Sequence, residues 1–238
     1  MNPPRSRKVN LYLGPAHACS YLPDRQARAV FADPRAPVEP VLYSRLIEQG
    51  FRRSGPQLYR PECAPCAACR SLRIPVAAFR ERRRQRRIRK RNADLRMHWT
   101  PPEFRDEHYA LYRRYQTDRH AGGGMDDDDP AAYRAFLTGD VCATRFAEFR
   151  CGERLLAVAV VDRIDHGLSA VYTFYDAREF QRSLGGYAIL RLIDHARALG
   201  LAYLYLGYWI ENSPKMAYKA GFLPHELFVD GAWRPIGT

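Results

Sequence analysis

The sequence of 238 residues lacks any apolar run of about 18 residues, which excludes a membrane-spanning helix. No secretory signal is expected, since Met1 to Asn10 is basic and polar and the apolar patch after it is broken by Gly14 and Pro15. No internal repeat is present. Lysine is scarce, with four among 38 basic residues, so arginine carries almost all the positive charge. These absences predict a soluble, cytoplasmic protein with no membrane partner. Thiols stay reduced in that compartment, so the six cysteines are read as metal ligands, nucleophiles or core residues before disulfides.

What is present is enough apolar residue, 46%, for one large domain or two compact ones. Thirty-eight Lys and Arg stand against 26 Asp and Glu, giving a formal charge of +12. Such an excess favours polyanionic partners, because each neutralised phosphate releases condensed counterions. Charge alone does not separate RNA from DNA or from lipid headgroups.

Residues 1–80 read as irregular and rich in Pro, Arg and Cys, with one helix over Val41 to Gln49 stopped by Gly50. Arg80 to Arg91 is a charge run with nine Lys or Arg in twelve residues. Thr100 and Glu103, with Pro101 between them, form a capping-box pattern for a helix buried through Phe104, Leu111, Tyr112 and Tyr115. Asp129 is expected to cap a short helix from Pro130, after a loop of three glycines and four aspartates. Phe146 to Arg150, Leu155 to Ile164 and Leu168 to Tyr175 then read as an antiparallel meander with Gly-containing turns. A helix over Gly186 to Leu199, a strand over Ala202 to Ile210, a short helix from Pro214 and a last strand over Phe222 to Val229 complete the order. The prediction is an α+β protein: a Cys- and Arg-rich N-terminal domain over 1–90, then a GNAT-like acyltransferase domain over 91–238 with a mixed, mainly antiparallel sheet. In that architecture a glycine-led helix N-terminus faces a phosphate-bearing acyl donor.

Four constellations carry chemistry. Cys63, Cys66 and Cys69 stand at two-residue spacing, with Cys19 as a distant fourth ligand for zinc or an iron–sulfur cluster; reduced structural thiols are the plain alternative. Cys142 and Cys151 read as core residues. In the arginine run, Arg83, Arg84, Arg86, Arg87 and Lys90 are candidates for contacts to an RNA backbone, the alternative being a solvated basic face. Tyr175-Asp176, then Arg182, Ser183, Gly185 and Gly186, lead into a helix whose N-terminus suits a phosphate or ribose. Tyr187 is bulky where a coenzyme A site wants a small residue, which argues against that donor. Tyr208 and Trp209 end a strand and are candidates to stack a base or line an acyl pocket. Lys215 and Lys219 stand one helical turn apart, placed to hold a carboxylate or phosphate.

These motifs, taken in order, carry a resemblance. Gly50-Phe51-Arg52-Arg53-Ser54-Gly55, Tyr59-Arg60-Pro61, the cysteine cluster, Phe174-Tyr175-Asp176, Ser183-Leu184-Gly185, Tyr205 to Ile210 and Pro214-Lys215-Met216-x-Tyr218-Lys219 resemble the aminoacyl-tRNA–protein transferases of the arginyl-tRNA–protein transferase type. The short bacterial branch, the aspartate/glutamate leucyltransferases, is nearest. One departure is Ala177, where the family usually has Pro. The resemblance implies a tRNA-dependent N-end-rule enzyme moving leucine from leucyl-tRNA to proteins that begin with Asp or Glu, with no DNA partner. An arginine donor is the alternative within the family.

For such a transfer the donor ester is already activated, so no cofactor is required. Tyr175 and Asp176 are expected to orient or deprotonate the acceptor amine, and N–H groups near Gly185 and Gly186 to meet the donor's 3′ end. Arg53, Arg182 and Lys215 are expected to clamp the substrate carboxylate. Two readings from other classes stand beside this one: a coenzyme A-dependent N-acetyltransferase and a non-catalytic RNA-binding module.

Overall fold

A computed structural model describes residues 9–120, 129–138 and 142–237. The central element is the meander of β9 (Ala143–Cys151), β10 (Arg154–Ile164) and β11 (Gly167–Tyr175), joined by tight antiparallel hairpins. β10 is buried at almost every position because both of its faces are covered. Ala157, Ala159 and Val161 pack toward α5 (Leu184–Ala198), whereas Leu155, Val158 and Val160 pack with Leu111 and Tyr112 of α3 (Asp106–His120). This explains why the segment reads as a near-continuous apolar run rather than as an alternating strand.

β8 (Arg96–Thr100) extends the sheet beyond β9, and β12 (Tyr203–Trp209) adds in parallel beside β11. Antiparallel strands follow on the far side: β7 (Arg70–Pro75), then β13 (His225–Val229) and β14 (Ala232–Ile236). The result is a mixed α+β fold on an eight-stranded, mainly antiparallel sheet. A division at residue 90 cuts across this sheet, because β7 from the earlier segment lies between β12 and β13 of the later one. The same holds for α2 (Arg83–Arg91), which packs on α5.

Residues 1–80 are less irregular than their composition predicts. β1 (Leu11–Leu13), β4 (Ala29–Ala32), β6 (Gln57–Pro61) and β5 (Arg52–Ser54) form a second, four-stranded antiparallel sheet in the order β1-β4-β6-β5. A two-stranded ribbon of β2 (His17–Ala18) and β3 (Gln26–Ala27) is inserted between β1 and β4, and α1 (Pro40–Glu48) packs against β10. The helix expected from Thr100 begins six residues later. Thr100 and Pro101 each precede a proline, which disfavours helical backbone, and Thr100 instead ends β8, paired with Phe146. β14 goes beyond the expected elements; its hairpin turns on Asp230 and Gly231, both at positive φ. The capped helix at Pro130 is present as α4 (Pro130–Tyr133), with Asp129 accepting from the N–H groups of Ala131 and Ala132 and a π-helical turn, Arg134–Thr138, following. Most of the loop before it lies outside the described residues.

The two sheets are tied by one buried ion pair. Asp162 of β10 accepts from Arg53 Nε at 2.5 Å and Nη2 at 2.9 Å, from the Tyr43 hydroxyl at 2.6 Å and from Thr144 Oγ1 at 2.8 Å. Both charged side chains are fully buried. Burial alone would raise the Asp162 carboxyl, but the guanidinium and the two hydroxyls hold it below its ordinary value. Arg53 is thus a structural residue and not the substrate clamp its sequence position suggests. Asp162→Ala leaves that guanidinium buried without a counter-charge, so a loss of about 3–5 kcal/mol is expected in urea unfolding monitored by circular dichroism.

Candidate functional site

The chemistry-bearing residues collect where the large sheet splits. β11 and β12 pair only over Gly167–Ser169 and Tyr203–Tyr205. Past that point β12 passes through Gly207 at φ 74°, with a register shift against β7, and the two strands separate. Arg52 of β5 fills the root of the split. Its Nη2 donates to the carbonyl of Ala170 at 2.6 Å and its Nη1 to Ser169 Oγ at 3.1 Å. A Cβ at Gly207 would stand 3.1 Å from Arg52 Nε, so glycine is needed here for close approach as well as for φ.

Tyrosines form the walls. Tyr175 ends β11 with its ring 4.8 Å from that of Tyr115 on α3. Tyr218 opens the 3-10 turn Tyr218–Gly221 that follows α6 (Pro214–Ala217), and it is partly exposed. Its hydroxyl is pushed up to about 12 by burial and then by Tyr175 across the cleft. Lys219, the next residue, donates from Nζ to the Tyr208 carbonyl at 2.7 Å. Burial, with the Arg52 charge beside it, pulls its ammonium down to about 7. Lys215 sits exposed on α6, so the two lysines expected to act as a pair face different surroundings.

The N-terminus of α5 stands at the open end. Ser183 adopts left-handed backbone, φ 53° and ψ 50°, and accepts the first helical bond from Tyr187 at 3.0 Å. The N–H groups of Leu184, Gly185 and Gly186 come before that bond and have no intrahelical acceptor. A Cβ at Gly185 would stand 3.4 Å from Tyr175 Cε1, which places this helix start directly beside the tyrosine. Gly186 has a packing role: a Cβ there would stand 3.3 Å from Ile88 Cδ1 of α2.

Asp176 is positioned for structure. Its side chain is 3% exposed and accepts from Arg178 Nε at 2.9 Å, Arg178 Nη2 at 2.8 Å and Arg154 Nη2 at 2.8 Å, and it caps the 3-10 turn Ala177–Arg182 through the Arg178 N–H. Arg178 first, and Arg154 after it, hold the carboxyl far below its ordinary value against the opposing effect of burial. A carboxylate so stabilised is a poor proton acceptor, so the role of base does not suit it. Arg182 is likewise engaged, with Asp94 at 2.8 Å and Glu179 at 3.1 Å, fastening the helix start to the loop before β8. The Tyr208 hydroxyl donates to the carbonyls of Tyr59 and Gly50 and is buried, and Trp209 packs on the main core. Trp209 Nε1 has no hydrogen-bond partner among the described residues.

The arginine run forms α2. Gln85 and Ile88 point inward, with Gln85 Nε2 donating to the Gly221 carbonyl at 2.8 Å, and Arg89 pairs with Glu81 and Asp194. Arg83, Arg84, Arg86, Arg87 and Lys90 are all exposed and make one cationic face. Beside it lies a cavity of about 530 Å³ lined by Arg89, Arg96, Arg191 and His98 among others.

The cysteines share a corner of the molecule but not a ligand geometry. Burial pushes the Cys69 thiol up to about 11, and the neighbouring Cys63, Cys19 and Cys66 add to it. Cys63 Sγ donates to the Arg28 carbonyl and accepts from the Arg28 N–H, both at 3.3 Å. Among the described residues no group of three or more His, Cys, Asp or Glu is arranged to hold a metal ion. The thiols suit zinc in kind, not in placement. Cys142 is half-buried against a core, whereas the Cys151 thiol, expected in a core, donates to Asp94 Oδ2 at 3.2 Å near the surface.

Comparison with known proteins assigns the chain to a family. Residues 17–87 match the family model described as arginine-tRNA-protein transferase, N terminus, and residues 107–229 match its C terminus. The chain belongs to this transferase family. It is 52% identical to the aspartate/glutamate leucyltransferase of Nitrosococcus oceani, with 94% of each chain covered. It is 51% identical to that of Pseudomonas paraeruginosa, covering 95% of this chain and 96% of the relative. Among solved structures, L-PGS from Bacillus licheniformis aligns with a TM-score of 0.45 and 12% identity over 60% of this chain and 46% of that one. The C-terminal domain of a putative lysylphosphatidylglycerol synthetase from Agrobacterium fabrum gives 0.46 and 14% over 72% and 52%.

The split sheet thus gathers Tyr175, Gly185 and Lys219 from the expected set, and adds Arg52, Tyr115 and Tyr218. Arg52 was missed because residues 1–80 read as irregular; only as part of a strand, where neighbours point to opposite faces, would the Arg52-Arg53 pair have separated into two roles. Asp176→Asn is expected to fold and to keep transfer activity while losing about 1 kcal/mol, because both arginine partners are exposed and solvent-screened. Its folded carboxyl pKa is depressed, so its contribution is present above the unfolded value and lost as pH falls below about 4. Melting temperatures of the two proteins should therefore converge on acidification.

Proposed function

We propose that the protein transfers leucine from leucyl-tRNA to the N-terminal α-amine of proteins beginning with Asp or Glu, marking them for N-end-rule degradation. Near full-length identity of about half to aspartate/glutamate leucyltransferases carries this reading. A split sheet with a glycine-led helix start beside it suits a GNAT-like acyl transfer and offers the parts the reaction needs.

The α-amine has an ordinary pKa of about 7.7–8.0, so a substantial fraction is neutral at physiological pH and only a modest base is required. Its nitrogen attacks the leucyl carbonyl, an amide bond forms, and the ester C–O bond breaks. The 3′-terminal ribose oxygen leaves with the proton lost by the amine. In this reading the N–H groups at the start of α5 stabilise the charge gained by the carbonyl oxygen, and the phenol of Tyr175 beside Gly185 orients the reacting groups. The choice of a leucyl over an arginyl donor rests on the likeness to the leucyltransferase branch.

The exposed face of α2 is the site for the tRNA backbone. Replacing Arg83, Arg84 and Arg87 together by Ala is expected to raise KM for leucyl-tRNA by about tenfold or more at physiological salt, leaving kcat nearly unchanged. Each lost phosphate contact should flatten the slope of log affinity against log salt by about 0.7–0.9. The identity of the reaction is tested with labelled leucyl- and arginyl-tRNA offered separately to peptides starting with Asp, Glu or Ala. Label is expected to pass from leucyl-tRNA to the Asp and Glu peptides. Transfer from arginyl-tRNA instead would overturn the donor, and tRNA binding without transfer would point to an RNA-binding module.

A further inference from the structure

The sequence directs attention to Arg53, Arg182 and Lys215 for an anionic substrate group, yet Arg53 and Arg182 already hold carboxylates of the protein itself. Other half-buried arginines follow the same rule: Arg73 pairs with Glu226, Arg89 with Glu81 and Asp194, and Arg150 with Glu107 and Glu148. Arg52 and Lys219 do not. Among the described residues neither has a carboxylate within ion-pair distance, although Arg52 is 7% exposed and Lys219 is largely shielded. They approach adjacent residues of β12 from different elements. The Arg52 guanidinium lies against Gly207, and the Lys219 ammonium lies on the carbonyl of Tyr208.

Two cations set side by side and shielded from water repel each other and lose hydration, and among the described residues only uncharged acceptors, two carbonyls, a hydroxyl and the Met216 sulfur, offset this. An arriving anion relieves both penalties. We propose that Arg52 and Lys219 form the subsite for the side-chain carboxylate of the acceptor's first residue. This rests on the transferase reading and names what selects its acceptor. The position suits the task, since Lys219 directly follows Tyr218, which faces Tyr175 where the amine reacts. Arg52 is a fixed fork, held by Ala170 and Ser169, whereas lysine has a flexible four-carbon stem. One fixed and one adjustable cation admit the carboxylate of either Asp or Glu. An uncharged Asn, Gln or Ala leaves the pair uncompensated.

The test compares kcat/KM for peptides that differ only in a first residue of Asp, Glu, Asn or Ala, with KM for leucyl-tRNA measured in parallel. Lys219→Met is expected to cut the preference for Asp over Ala by about tenfold or more through the acceptor KM, with the tRNA KM unmoved. Lys219→Arg, which restores the charge, should recover most of that preference, whereas a lysine acting as general base would not be replaced by arginine. Lys219→Gln repeats the test with a polar side chain, and circular dichroism melts confirm that each variant is folded. An unchanged Asp-to-Ala ratio in folded Lys219→Met and Lys219→Gln would overturn the subsite. So would a raised leucyl-tRNA KM with the ratio intact, since the pair would then hold a tRNA phosphate. Absence of transfer by the unaltered protein would instead overturn the transferase reading, and the subsite with it.

Discussion

The contact between Arg53 and Asp162 is the constraint on which the rest of the structure depends. It places a full charge of each sign at zero exposure between two sheets, and Tyr43 and Thr144 complete the carboxylate's hydrogen bonds. A buried ion pair of this kind gives little net stability relative to an apolar pair, but it tolerates no slippage, because any displacement strands a charge. Fixing Arg53 fixes β5, and strand geometry then sends the preceding side chain, Arg52, the other way, into the split between β11 and β12. One arginine holds the sheets together so that the next can occupy the cleft.

The cleft follows from the same economy of strand pairing. Parallel pairing of β11 and β12 stops after three residues on each side, which frees the ends of both strands. The α5 N-terminus, the Tyr175 ring and the turn carrying Tyr218 and Lys219 are then all delivered by chain that leaves those ends. Residues that looked functional on motif evidence often turned out to hold this arrangement in place. Asp176 and Arg182 fasten the turn before α5, and Tyr208 ties β12 to the small sheet through Gly50 and Tyr59.

Local pattern made the meander, both long helices and the Pro130 cap legible, because each buries a face whose period is written in consecutive residues. The four-stranded sheet of the first 80 residues was not, since its strands are three to five residues long and several of their partners distant. β7 was missed for a related reason: Arg70 to Pro75 has only Leu72 and Ile74 as strong apolar positions, and its burial comes from β12 and β13 far along the chain. Motif resemblance found the right region of the cleft but not the partners of each side chain. Whether an arginine meets substrate or an internal carboxylate depends on tertiary contacts that no spacing encodes.

The placement of β7 also bears on how the chain is made. Its two neighbours, β12 and β13, lie more than a hundred residues later, so during vectorial synthesis this strand waits with both edges bare until chain past Val229 leaves the ribosome. The first ninety residues cannot settle as an independent unit, and long-range pairing of this sort makes assembly slow. A chain cut short after α5 would keep the partners of the Arg52 strand in β6, β10 and β11, yet leave β7 with neither of its sheet neighbours and the cleft with only one wall.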